Sequence, residues 1–383
     1  MVRSAWLRSA GPGLVAIVAA GLLASTTIGA RERPWDPPEC PRPDAAVQST
    51  IRAGSGATGD PEPWFRLDPL LDPSGALAGQ RLVVGRMGGP GRRHVDLPPE
   101  SAAVGPIGGA IVVTTDDGSV SRVLALDVVA GCATTLDTST DVIRRATVAP
   151  DGQSVIEARV DRHSRADLGV WRRALGDRAP ASRWLEPIAA DARFGRTWST
   201  DLVWSTAGTD LAIQSCGELA CRTRVVATAS DDIRLVDDPD IGPSIGLADG
   251  RLVAYLACRG TPCPIVAVDV RTGIRRTLVA DAGPAVLSQT EDGTRLVHRV
   301  GRGAEAALHS LALDGGDVRI LGLIPVGLDL LTDATRSESG AGAPAGWVVL
   351  VPDGRVPRDP TGPGPVLRHA LDGRSITSDE VSR

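Results

Sequence analysis

The sequence predicts an all-β protein built as a β-propeller, with seven blades of four antiparallel strands favoured and six or eight blades as alternatives. An apolar hairpin unit recurs along most of the chain, and no stretch beyond the N-terminal segment keeps a helical apolar period for three turns. The 44 glycines and 29 prolines are dispersed, which is typical of many short strands joined by turns. Aromatic residues make up only 3% of the chain, so Val, Leu, Ala and Ile must fill the core.

The repeating unit is an apolar strand, a turn and a second strand, and it recurs at a spacing of roughly 30–55 residues, which suits four short strands per unit. The first strands of the hairpins are predicted at Arg81–Met87, Ala110–Thr115, Ser154–Val160, Asp210–Cys216, Arg251–Cys258, Arg295–Val300 and Trp347–Pro352. Their partners are predicted at Arg93–Leu97, Arg122–Val128, Gly169–Leu175, Arg222–Thr228, Pro264–Val270, Ala307–Leu313 and Val366–Leu371.

Shorter strands flank several of these hairpins and complete the predicted blades. An inner strand precedes the hairpin at Arg145–Ala149, Leu202–Ser205, Ser244–Leu247 and Ala285–Gln289. A weaker outer strand follows it at Thr134–Leu136, Arg183–Glu186, Arg234–Val236, Arg276–Val279 and Val318–Leu321, as expected where one face meets water. A β-sandwich is the alternative, but it would hold seven to nine strands per domain, far fewer than the about 25 counted here.

Several of the repeats resemble a known family. The segments Thr147–Ile156, Val203–Ile213 and Thr290–Val297 are similar to the "SPDG" repeats of TolB-like (WD40-like) propellers, and Leu311–Gly316 and Leu371–Gly373 resemble the strand end of those repeats. The resemblance covers about residues 75–380 and implies the propeller fold. It implies no particular ligand, because propellers of this family carry unrelated functions.

The charge pattern argues against a nucleic-acid-binding protein. The formal net charge is -5, with 46 acidic and 41 basic residues interspersed and no lysine in the chain. A nucleic-acid surface would need a basic stripe. Isolated pairs such as Arg144-Arg145 and Arg172-Arg173 are interpreted as solvated strand faces.

The N-terminus predicts export. Residues 1–30 are expected to form a signal peptide, because Arg3 and Arg8 precede an apolar run that ends near Ala30. That run is short for a membrane span, which needs about 20 residues, so an uncleaved anchor is the alternative. Residues 31–66, rich in proline and glycine, are predicted to be a linker arm, and 67–383 the propeller domain. The protein is therefore expected outside the cytoplasm, secreted or held by its N-terminal segment.

The six cysteines predict three disulfides in an oxidising compartment. Cys216 and Cys221, and likewise Cys258 and Cys263, are separated by four residues at the same hairpin turn of adjacent units, where two Cβ atoms can approach closely enough to bridge. By elimination, Cys40 and Cys132 would tie the arm to the second blade. A four-cysteine zinc centre is the alternative for the two hairpin pairs.

The sequence offers no catalytic residue and no metal site that we would assign. Gly242-Pro243-Ser244-Ile245-Gly246 matches the G-x-S-x-G pattern, but a hairpin follows it where a nucleophile elbow needs a helix. Four histidines are expected to be structural strand residues: His94, His298, His309 and His369. The acidic run from Asp231 to Asp240 could attract calcium, but it lacks the ligand spacing of an EF-hand loop, so no cofactor is predicted.

The best candidate for a contact element is the charged hairpin turn containing Arg162, His163 and Arg165, which should project from the body. The expected function is a non-enzymatic module that binds or scaffolds a protein or a cell-envelope component. An extracellular hydrolase or lyase using carboxylates and arginines in the propeller channel is the alternative, and a cell-surface spacer is another. The mature body is expected to be a monomer without a membrane span.

Overall fold

The computed structural model describes most of the chain from the N-terminal arm to the last repeat. The described residues are 33–34, 36–40, 63–86, 93–107, 110–176, 179–189, 191–194, 199–217, 220–258, 263–290, 292–302, 305–324, 328–330, 347–352, 367–370 and 377–378. The predicted signal, residues 1–30, lies outside these ranges. Within them, none of the helices has the length and hydrophobicity needed to cross a membrane.

The described residues form seven four-stranded sheets and one short 3-10 helix, Ala192–Phe194. The first four sheets contain, in turn, β1 (Arg33–Pro34), β2 (Pro63–Leu71), β3 (Leu77–Arg86) and β4 (Arg93–Leu97); β5 (Ala102–Ile107), β6 (Ala110–Asp116), β7 (Ser121–Asp127) and β8 (Cys132–Ser139); β9 (Val142–Val148), β10 (Ser154–Val160), β11 (Asp167–Ala174) and β12 (Ser182–Leu185); and β13 (Ser199–Trp204), β14 (Asp210–Cys216), β15 (Cys221–Ala227) and β16 (Asp232–Val236).

The last three sheets follow the same plan. They contain, in turn, β17 (Ile241–Ala248), β18 (Arg251–Leu256), β19 (Cys263–Asp269) and β20 (Arg275–Ala282); β21 (Ala285–Thr290), β22 (Gly293–Val300), β23 (Ala307–Ala312) and β24 (Val318–Leu323); and β25 (Leu328–Leu330), β26 (Trp347–Pro352), β27 (Leu367–Ala370) and β28 (Thr377–Ser378). Consecutive strands pair in each of these sheets, so each sheet is a local unit of the chain.

The tight turns between strands explain why these units form. In the third sheet, Gly152 has a φ of +66° between β9 and β10, a backbone conformation that glycine adopts readily. Asp151 accepts a hydrogen bond from the amide of Gln153 at 2.9 Å, which closes the turn. The paired strands then keep a regular register, as in β14 and β15, where Asp210 lies opposite Ala227.

The first sheet departs from the predicted plan. Six sheets are antiparallel throughout, but the order of the first is β1-β4-β3-β2, and β1 pairs with β4 in parallel. Its outermost strand comes from the N-terminal arm, with Arg33 opposite Arg93. The prediction of seven blades of four antiparallel strands therefore holds for six sheets and is wrong for the first, because the short segment that completes this sheet lies upstream of its other strands.

The first strands of successive sheets lie next to one another. Contacts link β2 to β5, β5 to β9, β9 to β13, β13 to β17 and β17 to β21. A parallel bridge between Ser205 and Leu247 shows that β13 and β17 run in the same direction. The connections between second and third strands, and those between sheets, therefore lie at one end of the sheets, which we call the hairpin face.

The apolar core lies between neighbouring sheets. Five clusters of buried residues each combine side chains of two consecutive sheets, such as Val112 and Val123 of the second sheet with Val148 and Val155 of the third. Aliphatic residues dominate these clusters, as the composition predicted. Each fully buried aliphatic side chain contributes about 1.5–3 kcal/mol, so the core fixes each sheet against the next.

Candidate functional site

The predicted contact residues lie in the hairpin turn between β10 and β11, on the hairpin face. The guanidinium of Arg162 donates two hydrogen bonds to the carboxylate of Asp116, at 2.9 and 2.8 Å, and a third to the carbonyl of Thr140. The hydrogen bond from Arg162 lowers the pKa of Asp116 to about 2. Arg162 therefore anchors the turn to the second sheet.

The other two predicted residues stay at the surface. His163 is exposed at the tip of the turn, while Arg165 donates to the carboxylate of Glu100 at 3.1 Å. The turn itself is held by Asp161, whose carboxylate accepts the amides of His163 and Ser164. These hydrogen bonds hold the turn in one conformation, and we call it the rim of the hairpin face.

Below this rim, the inner edges of four sheets enclose a cavity of about 350 Å³, which we call the inner-strand pocket. Most of its lining residues belong to the first strands of these sheets, which lie next to one another, so the pocket lies on the side where the first strands meet. The pocket is lined by Phe65, Leu67, Gln80, Glu100, Ser101, Ala102, Ala103, Val104, Arg144, Arg145, Asp201 and Leu202.

Three arginines and two carboxylates set the electrostatics of the inner-strand pocket. Arg165 pairs with Glu100, and the Nε of Arg145 lies 3.8 Å from the carboxylate of Asp201. Within the described part of the chain, the guanidinium of half-buried Arg144 has no hydrogen bond or ion pair. Burial lowers the pKa of Arg144 and the positive charge of Arg165 lowers it further, while the negative charge of Glu100 opposes this shift; an arginine stays protonated in a protein. The three arginines and two carboxylates therefore leave one positive charge in excess.

A second unsatisfied group lines the same cavity. Ser101 is only 4% exposed, and its hydroxyl has no hydrogen-bond partner among the described residues. Its amide is satisfied by the carbonyl of Pro98, and the side chain of Gln80 donates to the carbonyl of Pro99 at 2.6 Å, so the segment carrying Ser101 is fixed. Arg144 and Ser101 therefore line one cavity, each with a polar group that has no hydrogen-bond partner among the described residues.

The sequence pattern did not reveal this site. The pair Arg144-Arg145 was interpreted as a solvated strand face, but both residues lie on β9, the first strand of its sheet, and both line the pocket. Nothing singled out Glu100, Ser101 or Asp201. The usable signal was position: a charged pair on the first strand of a repeat faces the inner side of the sheets.

No protein-family model matches the chain, and no curated protein is significantly similar to it.

Solved structures match its fold. A puromycin-hydrolyzing peptidase from Mycobacterium tuberculosis is 15% identical with a TM-score of 0.51, over 91% of this chain and 57% of that one. A prolyl endopeptidase is 12% identical with a TM-score of 0.52, over 96% and 55%. TolB from Acinetobacter baumannii is 14% identical with a TM-score of 0.44, over 72% and 69%. The succession of four-stranded sheets is consistent with a β-propeller. The chain spans just over half the length of the two peptidases, and at these identities the likeness shows the fold alone.

Three disulfides hold the propeller: two in the hairpin pairs that the spacing predicted, and one in the pair that was assigned by elimination. Cys216–Cys221 and Cys258–Cys263 each close a hairpin turn between second and third strands, and Cys40–Cys132 joins the arm to β8 with Cα atoms 5.1 Å apart. The amide of Cys40 also donates to the carbonyl of Ala133 at 2.9 Å. The two hairpin disulfides stiffen the hairpin face.

The remaining candidates are strand residues or ion-paired groups. Ser244 lies within β17, which continues into β18, so the strand-to-helix turn of a nucleophile elbow does not form there. His298 and His309 face each other across β22 and β23, with ring centroids 5.8 Å apart, and burial lowers the pKa of His298 to about 4. His94 lies on β4, and His369 lies on β27.

The acidic run is engaged by basic side chains of the propeller. Asp237 pairs with Arg193 at 2.9 Å, and Asp238 and Asp240 both pair with Arg275. Across the described residues, no group of three or more His, Cys, Asp or Glu side chains could hold a metal ion.

A second group of charges is buried between the second and third blades. The guanidinium of Arg159 contacts the carboxylates of Asp137 at 2.8 Å and Glu157 at 2.6 Å, and Arg173 also pairs with Asp137. Glu157 is fully buried and one of its carboxylate oxygens has no partner in the described structure. Burial, reinforced by the negative charge of Asp137, raises the pKa of Glu157 to about 8 despite the neighbouring Arg159.

Proposed function

We propose that the protein is an exported, non-enzymatic propeller of seven blades, in which the sheet of β25 to β28 completes the ring, and that it binds a protein or cell-envelope component. The inner-strand pocket on the hairpin face, with the unpaired cation of Arg144, is the observation that carries this proposal. Binding sites on such folds are built from loops and cavities held by a stiff scaffold. The predicted signal and the three disulfides support a location outside the cytoplasm.

The alternative is an extracellular hydrolase or lyase, and the pocket carboxylates Glu100 and Asp201 favour it. A catalytic carboxylate must be able to accept a proton or attack a substrate. Here each carboxylate already faces an arginine, Glu100 at 3.1 Å from Arg165 and Asp201 at 3.8 Å from Arg145. This pairing supports a structural and electrostatic role for both groups, and therefore favours binding.

Photo-crosslinking in the cells that produce the protein tests the proposal. Because the chain has no lysine, amine-reactive reagents would miss its surface, so a photoreactive amino acid is placed instead at the exposed tip residue His163. The matched control carries it at Arg271, exposed in the turn between β19 and β20 at the opposite end.

We expect one dominant partner to be crosslinked from the His163 position, and we expect the same partner not to be crosslinked from the Arg271 position. Equal crosslinking from both ends would contradict binding through the hairpin face. Turnover of a peptide or glycan library by the purified protein, lost in an Asp201→Asn variant, would establish the enzymatic alternative.

A further inference from the structure

We propose that the inner-strand pocket binds a carboxylate attached to an aliphatic group, namely the C-terminal carboxylate of a partner peptide with an aliphatic last residue, with Arg144 and Ser101 as its hydrogen-bond donors. This inference rests on the proposed binding function and deepens it by naming the chemical group that is recognised. Four features of the pocket carry it: charge balance, an unsatisfied hydroxyl, the apolar lining and size.

The charge balance calls for a single negative charge. The three arginines exceed the two carboxylates by one charge: Arg165 and Arg145 face Glu100 and Asp201, and Arg144 is attracted by Glu100 without a direct contact. A guanidinium can bind a carboxylate through two parallel hydrogen bonds. A doubly charged phosphate would meet only one unmatched cation and would be repelled by the two pocket carboxylates, so a monoanion fits better.

The hydroxyl of Ser101 identifies the second donor. A buried polar group without a partner costs about 1–3 kcal/mol, and such groups are rare in folded proteins. Ser101 is 4% exposed, unpartnered among the described residues, and lines the same cavity as Arg144. A rotation of the Ser101 side chain would bring its hydroxyl, which has almost no exposed surface, to a carboxylate held by Arg144, and the hydrogen bond would remove the cost.

The remaining lining describes what is attached to the carboxylate. Phe65, Leu67, Val104 and Leu202 form apolar walls. The cavity of about 350 Å³ is at the small end of ligand sites, which span about 300–1,000 Å³, so it has room for a carboxylate and one aliphatic side chain. The rest of a peptide would leave through the hairpin face, past the rim formed by His163 and Arg165.

The test compares two N-terminally labelled hexapeptides that end in leucine, one with a free carboxylate and one with a C-terminal amide, by fluorescence anisotropy with the full, oxidised chain. We expect amidation to weaken binding at least ~10-fold, the range for losing hydrogen bonds to a charged group. Arg144→Gln should weaken the acid peptide equally and abolish the acid-over-amide preference. Ser101→Ala should reduce the preference several-fold, and the control Arg122→Gln, outside the pocket, should leave it unchanged.

The preference ratio serves as an internal control for folding, since a damaged protein would lose both peptides alike. Equal binding of acid and amide, no binding of either, or a preference that survives Arg144→Gln would each overturn the inference. Free 4-methylpentanoate forms a third arm: competition as strong as the peptide's would show that the ligand is a small carboxylate and not a chain end. A partner crosslinked at His163 without any acid preference would refute this inference alone, whereas acid-selective peptide binding without that partner would refute the proposed function alone.

Discussion

Gly169, at the third residue of β11, occupies a position where any side chain would meet backbone. Its φ is +83°, and a Cβ there would collide with the carbonyl of Leu185 and press on Glu186. β11 and β12 can approach in this way only because the residue has no side chain.

Replacing Gly169 by alanine should therefore destabilise the protein more than its φ alone requires. Gly118→Ala is the matched control, because Gly118 has a φ of +91° but open space around its missing Cβ. We expect a loss of about 1 kcal/mol for Gly118→Ala and about 3 kcal/mol or more for Gly169→Ala in urea unfolding. Equal losses would show that β12 shifts freely.

At the scale of single residues, sequence patterns identify turn chemistry better than they identify a binding site. Gly152 lies in the turn predicted from Pro150-Asp151-Gly152. Arg144, by contrast, belongs to a pair of adjacent arginines on a strand, as does Arg173, which pairs with Asp137. Only the arrangement of four sheets decides which arginine lacks a counter-ion, and no local pattern records that arrangement.

Among the structural elements, the disulfides differ most in the length of chain that they close. Cys216–Cys221 spans a separation of 5 residues, whereas Cys40–Cys132 spans 92. Loop-closure entropy of the unfolded chain predicts a contribution of about 2 kcal/mol for the short loop and about 4.6 kcal/mol for the long one.

Removing the long disulfide should accordingly cost more stability. We expect the double variant Cys40→Ser with Cys132→Ser to unfold at a lower urea concentration than the double variant Cys216→Ser with Cys221→Ser, both measured beside the oxidised parent. The opposite order would mean either that the hairpin turn does not form without its disulfide, or that the arm keeps residual structure in the unfolded chain.

The predictability of each strand follows from its length and burial. β10, β14 and β26 coincide with the predicted spans: all three are second strands, the first two are buried along nearly their whole length, and the third is apolar in sequence. The outer strands are harder to bound, since residues such as Ile320, 72% exposed, break the burial pattern. β1 could not be predicted at all, because two residues, Arg33 and Pro34, carry no periodicity.

For the molecule as a whole, the buried charges between the second and third blades tie stability to pH. The pKa of Glu157 in the folded state, about 8, lies above its usual value of 4.5. Between about pH 4.5 and pH 8, Glu157 is therefore protonated in the folded protein and ionised in the unfolded chain. Stability that this group confers is complete below about pH 4.5 and is lost as the pH rises towards 8.

Glu157→Gln, which cannot release that proton, should remove this loss. We expect the variant to gain on the parent by on the order of 2–4 kcal/mol between pH 5 and pH 9, read from urea unfolding at each pH. Glu186→Gln is the control, because Glu186 is exposed and should give a constant difference across the range. A constant difference for Glu157→Gln as well would show that Arg159 keeps this carboxylate ionised.

The overall architecture was predictable because repetition multiplies a weak signal. A single alternating segment could belong to many folds, but the same hairpin recurring along the chain restricts the choice to radial or stacked repeats. The number of regular blades was less predictable, since the first sheet borrows its outer strand from a segment that resembles a linker.

The borrowed strand also has a consequence in time. The chain is made from its N-terminus at about 5–20 residues per second, and Cys40 must wait for Cys132, 92 residues later, or roughly 5–20 s. The hairpin cysteines wait about a second or less by the same reckoning. During synthesis, Cys40 is thus the thiol longest open to reaction with a wrong partner, and its correct bond can form only once the chain as far as the start of β8 has been made.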